Sequence, residues 1–290
     1  MCAAISRSEE LTKVPTRWAD GAAELGLKKT GDGTTLSHLF QSDPCRILFP
    51  RPARGGPFEG VFITTSGGLV GGDRLLFKVM AAADTQACVT SQAAEKIYRS
   101  AGQTTEIAIS LIIDAGATLE WMPQETILFD GARIRRYNRI DAAPGSKLLA
   151  GEIIVFGRTA FGEKVTTGLL HDSWRIYRGG TLVWADALHM DSALNATLEN
   201  PFTFDGAVAC ATLVFCADDA AVFLEGARAL LDQHKTDDVR MSATCVGPTL
   251  IMRFLSLDTA ALRQCYTTFW SLFRKQNFNF PAALPRVWES

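Results

Sequence analysis

The sequence lacks the marks of several common classes of protein. It has no apolar run of the length that a membrane-spanning helix needs, and residues 1–10 contain no apolar segment typical of a secretory signal. The formal net charge is only −2 in 290 residues. No excess of basic residues therefore favours nucleic acid or an anionic membrane as a partner.

Cysteine and histidine are few and dispersed. None of the seven cysteines forms a C-x-x-C pair, and the four histidines show no H-x-x-x-H spacing. This pattern is typical of buried free thiols in a reducing, cytoplasmic protein and favours structural roles for the histidines. No serine lies in a G-x-S-x-G motif, so a hydrolase triad has no support.

Glycine, in contrast, is concentrated in one segment. Four glycines lie within residues 67–72 and are followed by Asp73 and Arg74. The spacing is that of a phosphate-binding loop, which needs Lys and then Ser or Thr at the next two positions. A carboxylate there would repel a phosphate. We infer instead a tight turn with unusual backbone angles or close backbone contacts, in which Asp73 either caps the turn or has another role.

Most of the chain up to residue 206 predicts β-strands. Short apolar or alternating segments are separated by turn signals at short intervals, which is typical of a strand-rich fold. Beyond residue 207 the pattern predicts a strand over 207–216, a helix over 218–235, two more strands, and a second helix that begins at Asp258 and ends near Phe273. The sequence thus predicts a mainly β fold. Its strand-rich body covers 1–206, with the first 20 or so residues as candidates for disorder, and a small α+β part with two helices covers 207–290 and packs on the body as one structural unit.

Two carboxylates occupy apolar strand faces. Asp186 would share a face with Trp184 and Leu188, and Glu152 would share one with Ile154. A carboxylate in such a row loses hydration unless a cation or hydrogen-bond donors meet it. Two roles stay open at this point: a functional one, and an ion pair with an arginine, for which the candidates are Arg99, Arg133, Arg135, Arg136 and Arg158.

The residues alone leave two further functions open. One is a hydrolase that uses a pair of carboxylates, which would have to converge in one open cleft. The other is a β-rich module that binds carbohydrate or peptide, which would expose a row of aromatic side chains. Aromatic residues make up 9% of the chain and lie mostly in apolar contexts, so the composition does not favour the second function.

Five segments in a fixed order carry a family resemblance. They are 66–75, 90–100, 119–132, 157–163 and 284–288. Together they resemble the UreD family of urease accessory proteins, called UreH in some organisms. The resemblance implies a curved, β-helix-like body of stacked sheets with two helices toward the C-terminus. It also implies a non-catalytic nickel-insertion chaperone for urease maturation.

The resemblance implies partners and a role for the carboxylates. The partners are UreF-like and UreG-like accessory proteins and the urease apoprotein, in a dimer of heteromeric complexes, and GTP hydrolysis resides in the UreG-like partner. An internal tunnel would pass Ni²⁺ held transiently by water and oxygen ligands, with no tightly bound cofactor. The candidates for lining it or relaying the metal are Asp73, Glu152 and Asp186, and the weaker candidates are Glu95, Glu120, Glu125 and Asp130.

Overall fold

The computed structural model describes residues 18–289. The sequence-based prediction of disorder in the first 20 or so residues falls mostly outside this range. Within it the chain forms strands and helices with the following bounds. The strands are β1 Asp20–Thr30, β2 Gly33–Gln41, β3 Cys45–Leu48, β4 Phe58–Thr64, β5 Arg74–Ala81, β6 Gln86–Ser91, β7 Glu95–Ile97, β8 Thr105–Ile113, β9 Thr118–Met122, β10 Thr126–Leu128, β11 Arg133–Ala142, β12 Lys147–Phe156, β13 Thr167–Arg178, β14 Thr181–Ala193, β15 Ala209–Cys216, β16 Val239–Val246 and β17 Thr249–Ser256. The α-helices are α1 Leu194–Glu199, α2 Leu224–Gln233 and α3 Thr259–Phe278.

The strands form two large sheets between which the chain passes back and forth. The first sheet has seven strands in the order β14-β13-β11-β8-β5-β1-β2, and the second has ten, with β16-β17-β15-β12-β9-β6-β4-β3 as its main path. Strands from successive passages pair in parallel, as β5, β8, β11 and β13 do in the first sheet. The result is a mainly β, solenoid-like body of about four turns, which confirms the predicted fold class.

Two apolar layers stabilise this arrangement. One lies between the sheets, and the other lies between the outer face of the second sheet and the helices α2 and α3. Strand β12 contributes to both, because Ile154 points between the sheets while Ile153 packs beneath the helices. Glu152 has the same parity as Ile154 and so points between the sheets, as its sequence pattern predicts.

The C-terminal segment continues the second sheet. Strand β15 pairs antiparallel with β12, and β17 and β16 follow it. The predicted division of the chain between residues 206 and 207 stays a prediction. Asp258 caps α3, as expected, by accepting hydrogen bonds from the backbone nitrogens of Ala260 and Ala261 at 2.7 and 3.1 Å.

Other boundaries differ from the sequence-based prediction. Helix α3 ends at Phe278 rather than near residue 273, and α2 is shorter than the predicted span of 218–235 because a 3-10 turn at Ala220–Phe223 precedes it. The sequence predicts no helix at α1 and no strand at β1, β7 or β11. None of the helices among residues 18–289 has the combined length and apolar character that crossing a membrane requires.

The glycine segment forms a tight turn between β4 and β5. Gly72 has a φ of +103°, a conformation that L side chains rarely adopt. Gly71 does not have a positive φ. A side chain is excluded there for a steric reason instead. A Cβ atom there would overlap the hydroxyl of Ser100 and the carbonyl oxygen of Gln103.

We expect Gly71→Ala to lower the free energy of unfolding by about 1–3 kcal/mol, because the added methyl group has no space. Gly226→Ala is the matched control, since Gly226 lies in α2 with nothing within 4 Å of its Cβ position. That substitution should instead stabilise the protein by about 0.5–1 kcal/mol. Urea denaturation of both variants measures the difference, and equal stability of Gly71→Ala and wild type would contradict the steric argument.

Candidate functional site

A cavity of about 430 Å³ lies between the sheets at the end of the body formed by β13 and β14. Its walls come from β12, β13 and β14 and from the neighbouring strands β15, β16 and β17. Three carboxylates line it, namely Glu152, Asp172 and Asp186. The structure thus brings together two of the three principal candidates from the sequence, together with an aspartate that sequence reasoning missed.

A second cavity of about 200 Å³ lies between the sheets nearer the glycine turn. Its wall includes Gly67 and Gly68 of the turn, the half-buried Glu95 of β7, and Arg136 of β11. Glu95 is one of the weaker candidates from the sequence. The other three, Glu120, Glu125 and Asp130, line neither of these two cavities.

Arg136 lies between the two cavities. It borders the second cavity, and its guanidinium forms ion pairs with Glu152 and Asp172, which line the first. The parallel register places Arg136 directly beside Asp172 on β13, and Glu152 reaches it from β12 of the opposite sheet. All three side chains are buried. A single ion-paired triad therefore separates the cavities.

Hydrogen bonds hold the triad in place. Arg136 also donates to the Thr126 hydroxyl at 2.8 Å, Trp174 Nε1 donates to Glu152 at 3.0 Å, and the Asn138 amide donates to Asp172 at 2.8 Å. Burial and then the neighbouring charge of Asp172 raise the pKa of Glu152 well above its usual range, while Arg136 opposes this shift. Burial alone would lower the pKa of Arg136, but its two carboxylate partners raise it.

Asp186 lies at the more open side of the first cavity. Its side chain is about one-third exposed and pairs with Arg253 of β17, which also donates to the Thr212 hydroxyl at 3.0 Å. An arginine partner for Asp186 is one of the possibilities that the sequence leaves open, but Arg253 is not among the candidate arginines, of which Arg158 is the last along the chain. Because the pair is partly hydrated, it contributes little to stability.

Glu95 differs from these ion-paired groups. Burial raises its pKa to about 7, against the opposing effects of hydrogen bonds from Thr64 and the Lys96 backbone, and Asp73 contributes to the increase. The protonated form is therefore favoured in the folded state at acidic pH, and a charged carboxylate appears near neutral pH.

We expect Glu95→Gln to stabilise the protein relative to wild type above pH 7 but not near pH 4. A raised folded-state pKa means that the native protein binds more protons than the unfolded chain between about pH 4.5 and 7, so wild-type stability falls as pH rises through that window. Because glutamine cannot ionise, the variant does not lose stability in this way as the pH rises. Urea denaturation at pH 4.5 and pH 8 measures it, and a difference between variant and wild type that does not depend on pH would contradict the assignment.

Asp73 has a structural position in the glycine turn. Its Oδ1 accepts a hydrogen bond from the backbone nitrogen of Ala19 and its Oδ2 accepts one from that of Val70, both at 2.8 Å. The side chain is buried. Of the two roles that the sequence left open, these contacts match the cap, and a role in metal relay stays a prediction.

The other three weaker candidates form hydrogen bonds and ion pairs that connect different elements of the fold. Glu120 accepts hydrogen bonds from Trp270 and Arg274 of α3 at 2.8 and 2.7 Å. Glu125 pairs with Arg263 of the same helix. Asp130 pairs with Arg99 and accepts hydrogen bonds from Thr166 and Thr167, and these donors lower its pKa although burial opposes them. Their metal roles also stay predictions.

Sequence reasoning missed Asp172, and it named Arg136 as one of several possible ion-pair partners without giving it a place in the site. Asp172 shares one face of its strand with Leu170, Trp174 and Ile176, which is the same signal that singled out Asp186. Arg136 had no such signal, because its strand was not predicted. Within residues 18–289, no group of three or more His, Cys, Asp or Glu side chains is arranged to hold a metal ion.

The fold and the site define a class of protein: a β-solenoid whose interior contains buried, ion-paired carboxylates between two cavities. A profile of the UreD urease accessory protein family matches residues 19–289. A Urease accessory protein UreD of Magnetococcus marinus is 42% identical over 277 residues, which cover 95% of this chain and 96% of the relative. Urease accessory proteins UreD of Azorhizobium caulinodans and of a Methylobacterium species are 38% and 40% identical, covering 93% and 94% of this chain and 96% and 95% of the relatives. The chain belongs to the UreD family of urease accessory proteins.

Proposed function

We propose that this chain serves urease maturation as a scaffold and nickel conduit. It binds UreF-like and UreG-like accessory proteins and the urease apoprotein, in a dimer of heteromeric complexes, and passes Ni²⁺ toward the urease active site. The chain itself is non-catalytic, GTP hydrolysis belongs to the UreG-like partner, and the assembly works in the cytoplasm without nucleic acid or membrane. Family membership supports the accessory role.

One observation carries the conduit part of the proposal: the two interior cavities meet at Arg136. Glu95 lines the second cavity and Asp186 lines the first. Glu152 and Asp172 also line the first cavity, at the side where they pair with Arg136. Each cavity is large enough for several water molecules, because one water molecule needs about 10–15 Å³ of cavity volume. Spaced oxygen ligands and water suit an ion that must move on, because they bind it less tightly than a closed thiolate site.

The triad supplies a means of control in this scheme. A divalent cation that enters between Glu152 and Asp172 competes with the guanidinium of Arg136 for the same carboxylates. Arg136 therefore offsets part of the negative charge of the two carboxylates while no metal is present, and it must swing aside during passage. The burial of Glu152 and Asp172 argues against the hydrolase alternative, because that function needs two carboxylates that converge in one open cleft.

Co-expression tests the accessory role. Urease structural proteins should become active when they are produced with UreF-like and UreG-like proteins and this chain, and should stay largely inactive when this chain is left out. The chain should also co-purify with the UreF-like protein. Equal urease activity with and without the chain, at limiting nickel, would refute the proposed function.

A further inference from the structure

Two histidines that are 18 residues apart meet on the outer face of the first sheet. His171 on β13 and His189 on β14 are direct register partners in an antiparallel pair. Their Nδ1 atoms are 3.3 Å apart. His189 is exposed and His171 is half-buried. Because facing residues of adjacent strands have neighbouring Cβ atoms, both rings reach the same point above the sheet.

The separation of the two nitrogens matches joint coordination of one ion. Bonds from a metal to imidazole nitrogens are about 2.0–2.1 Å long, so two of them at a tetrahedral angle place the nitrogens about 3.3 Å apart. Without a metal, the same separation allows one neutral ring to donate its Nδ1 proton to the other, which keeps both nitrogens directed at one point. The rings are also inclined at 68° to each other, so neither stacks flat on the other.

The surroundings favour a neutral imidazole at His171 but not tight binding of a cation. Burial, His189 and Arg135 lower the pKa of His171, in that order, so that this ring is unprotonated and able to bind a metal at neutral pH. Arg135 of β11 and Arg175 of β13 add positive charge nearby, and the ring of Tyr137 packs against His171 at 5.8 Å. The two arginines weaken the attraction for any cation.

We propose that His171 and His189 form a surface site for one borderline divalent metal ion that accepts tetrahedral coordination, Zn²⁺ in preference to Ni²⁺ or Cu²⁺, with water completing its coordination. Imidazole is a preferred ligand of these metals. Asp172 and Asp186 line the cavity between the sheets, whereas the two histidines lie on the opposite face of the same strands. The site is therefore separate from the interior carboxylates and does not depend on the proposed conduit.

Titration of the purified full-length chain with NiSO₄ and ZnCl₂ tests the site, with calorimetry for affinity and imidazole ¹⁵N NMR for location. We expect one ion per chain, simultaneous broadening of the His171 and His189 signals by Ni²⁺, and a loss of affinity of about tenfold or more in His171→Ala and in His189→Ala. The exposed His234 provides the control variant His234→Ala, which should bind as wild type does.

Three results would overturn the proposal. They are unchanged affinity in the variant that lacks both histidines, an equal loss in His234→Ala, and one ion shared by two chains. Should alanine at residue 171 or 189 unfold the protein, as judged by circular dichroism, His171→Gln and His189→Gln replace those variants. The variant Glu95→Gln/Asp186→Asn should keep the site, so a failed conduit and a failed surface site give different results.

Discussion

Replacement of Arg136 by methionine should destabilise the protein by about 3–5 kcal/mol at pH 7. The substitution keeps much of the side-chain volume but leaves Glu152 and Asp172 buried beside each other without a cation. The hydroxyl of Thr126 also loses its donor. Urea denaturation measures the loss as a lower transition midpoint.

The effect of Arg136→Met should depend on pH with a definite sign. The pKa of Glu152 is already raised by burial and Asp172, and the loss of Arg136 removes the influence that lowers it. A raised folded-state pKa lets the native variant take up a proton more readily than the unfolded chain, so stability is lost as pH rises. The deficit should therefore be smaller at acidic pH, where Glu152 is protonated in the wild type as well, than at alkaline pH.

Arg139→Met is the matched control for Arg136→Met. Arg139 lies on the same strand but on the outer face, where it is exposed and pairs with Asp141. Its loss should cost no more than about 1 kcal/mol. If both methionine variants were equally stable, the triad would not be the buried, mutually dependent unit described above.

Glu120→Ala should cost a similar amount, about 3–5 kcal/mol. Glu120 is fully buried on β9 and accepts hydrogen bonds from Trp270 and Arg274, which fix α3 on the second sheet. Its removal leaves a buried guanidinium without its carboxylate and an indole nitrogen without an acceptor. Thermal and urea denaturation should both report the change, together with faster amide exchange in α3.

A double variant separates the charge effect from the loss of packing. Glu120→Leu/Arg274→Met removes both charges and keeps an apolar contact, so it should be more stable than Glu120→Leu alone. Glu106→Ala is the control, because Glu106 forms an exposed pair with Arg74 and should contribute at most about 1 kcal/mol. A double variant that is less stable than either single variant would contradict the pairing argument.

The sequence allowed much of the fold to be predicted but not all of the site. Strands with apolar faces, such as β12 and β13, could be located, and Asp258 marked the start of α3. Strand β11 could not be located because two of its inward positions carry Arg136 and Asn138 instead of apolar residues. The polar side chains that form the candidate site are therefore the ones that obscure its strand in the sequence.

Pairings across the sheets also lay beyond sequence reasoning. Glu152 and Asp186 could be singled out one at a time, but their partners Arg136 and Arg253 are set by parallel register and by the opposite sheet. The same holds for His171 and His189, which have no ligand spacing in the sequence and meet only because β13 and β14 pair. Neither contact follows from any local pattern.

The nickel content of purified urease tests the conduit most directly. Urease would be co-produced with its UreF-like and UreG-like accessory proteins and with this chain carrying Glu95→Gln/Asp186→Asn, which removes one carboxylate from each cavity. The control is Asp32→Asn/Glu199→Gln, which removes two exposed carboxylates outside both cavities. We expect the nickel per urease active site to fall below half of the wild-type value with the first variant and to stay at the wild-type value with the control. Full nickel loading by the first variant, in complexes that assemble normally, would contradict the account.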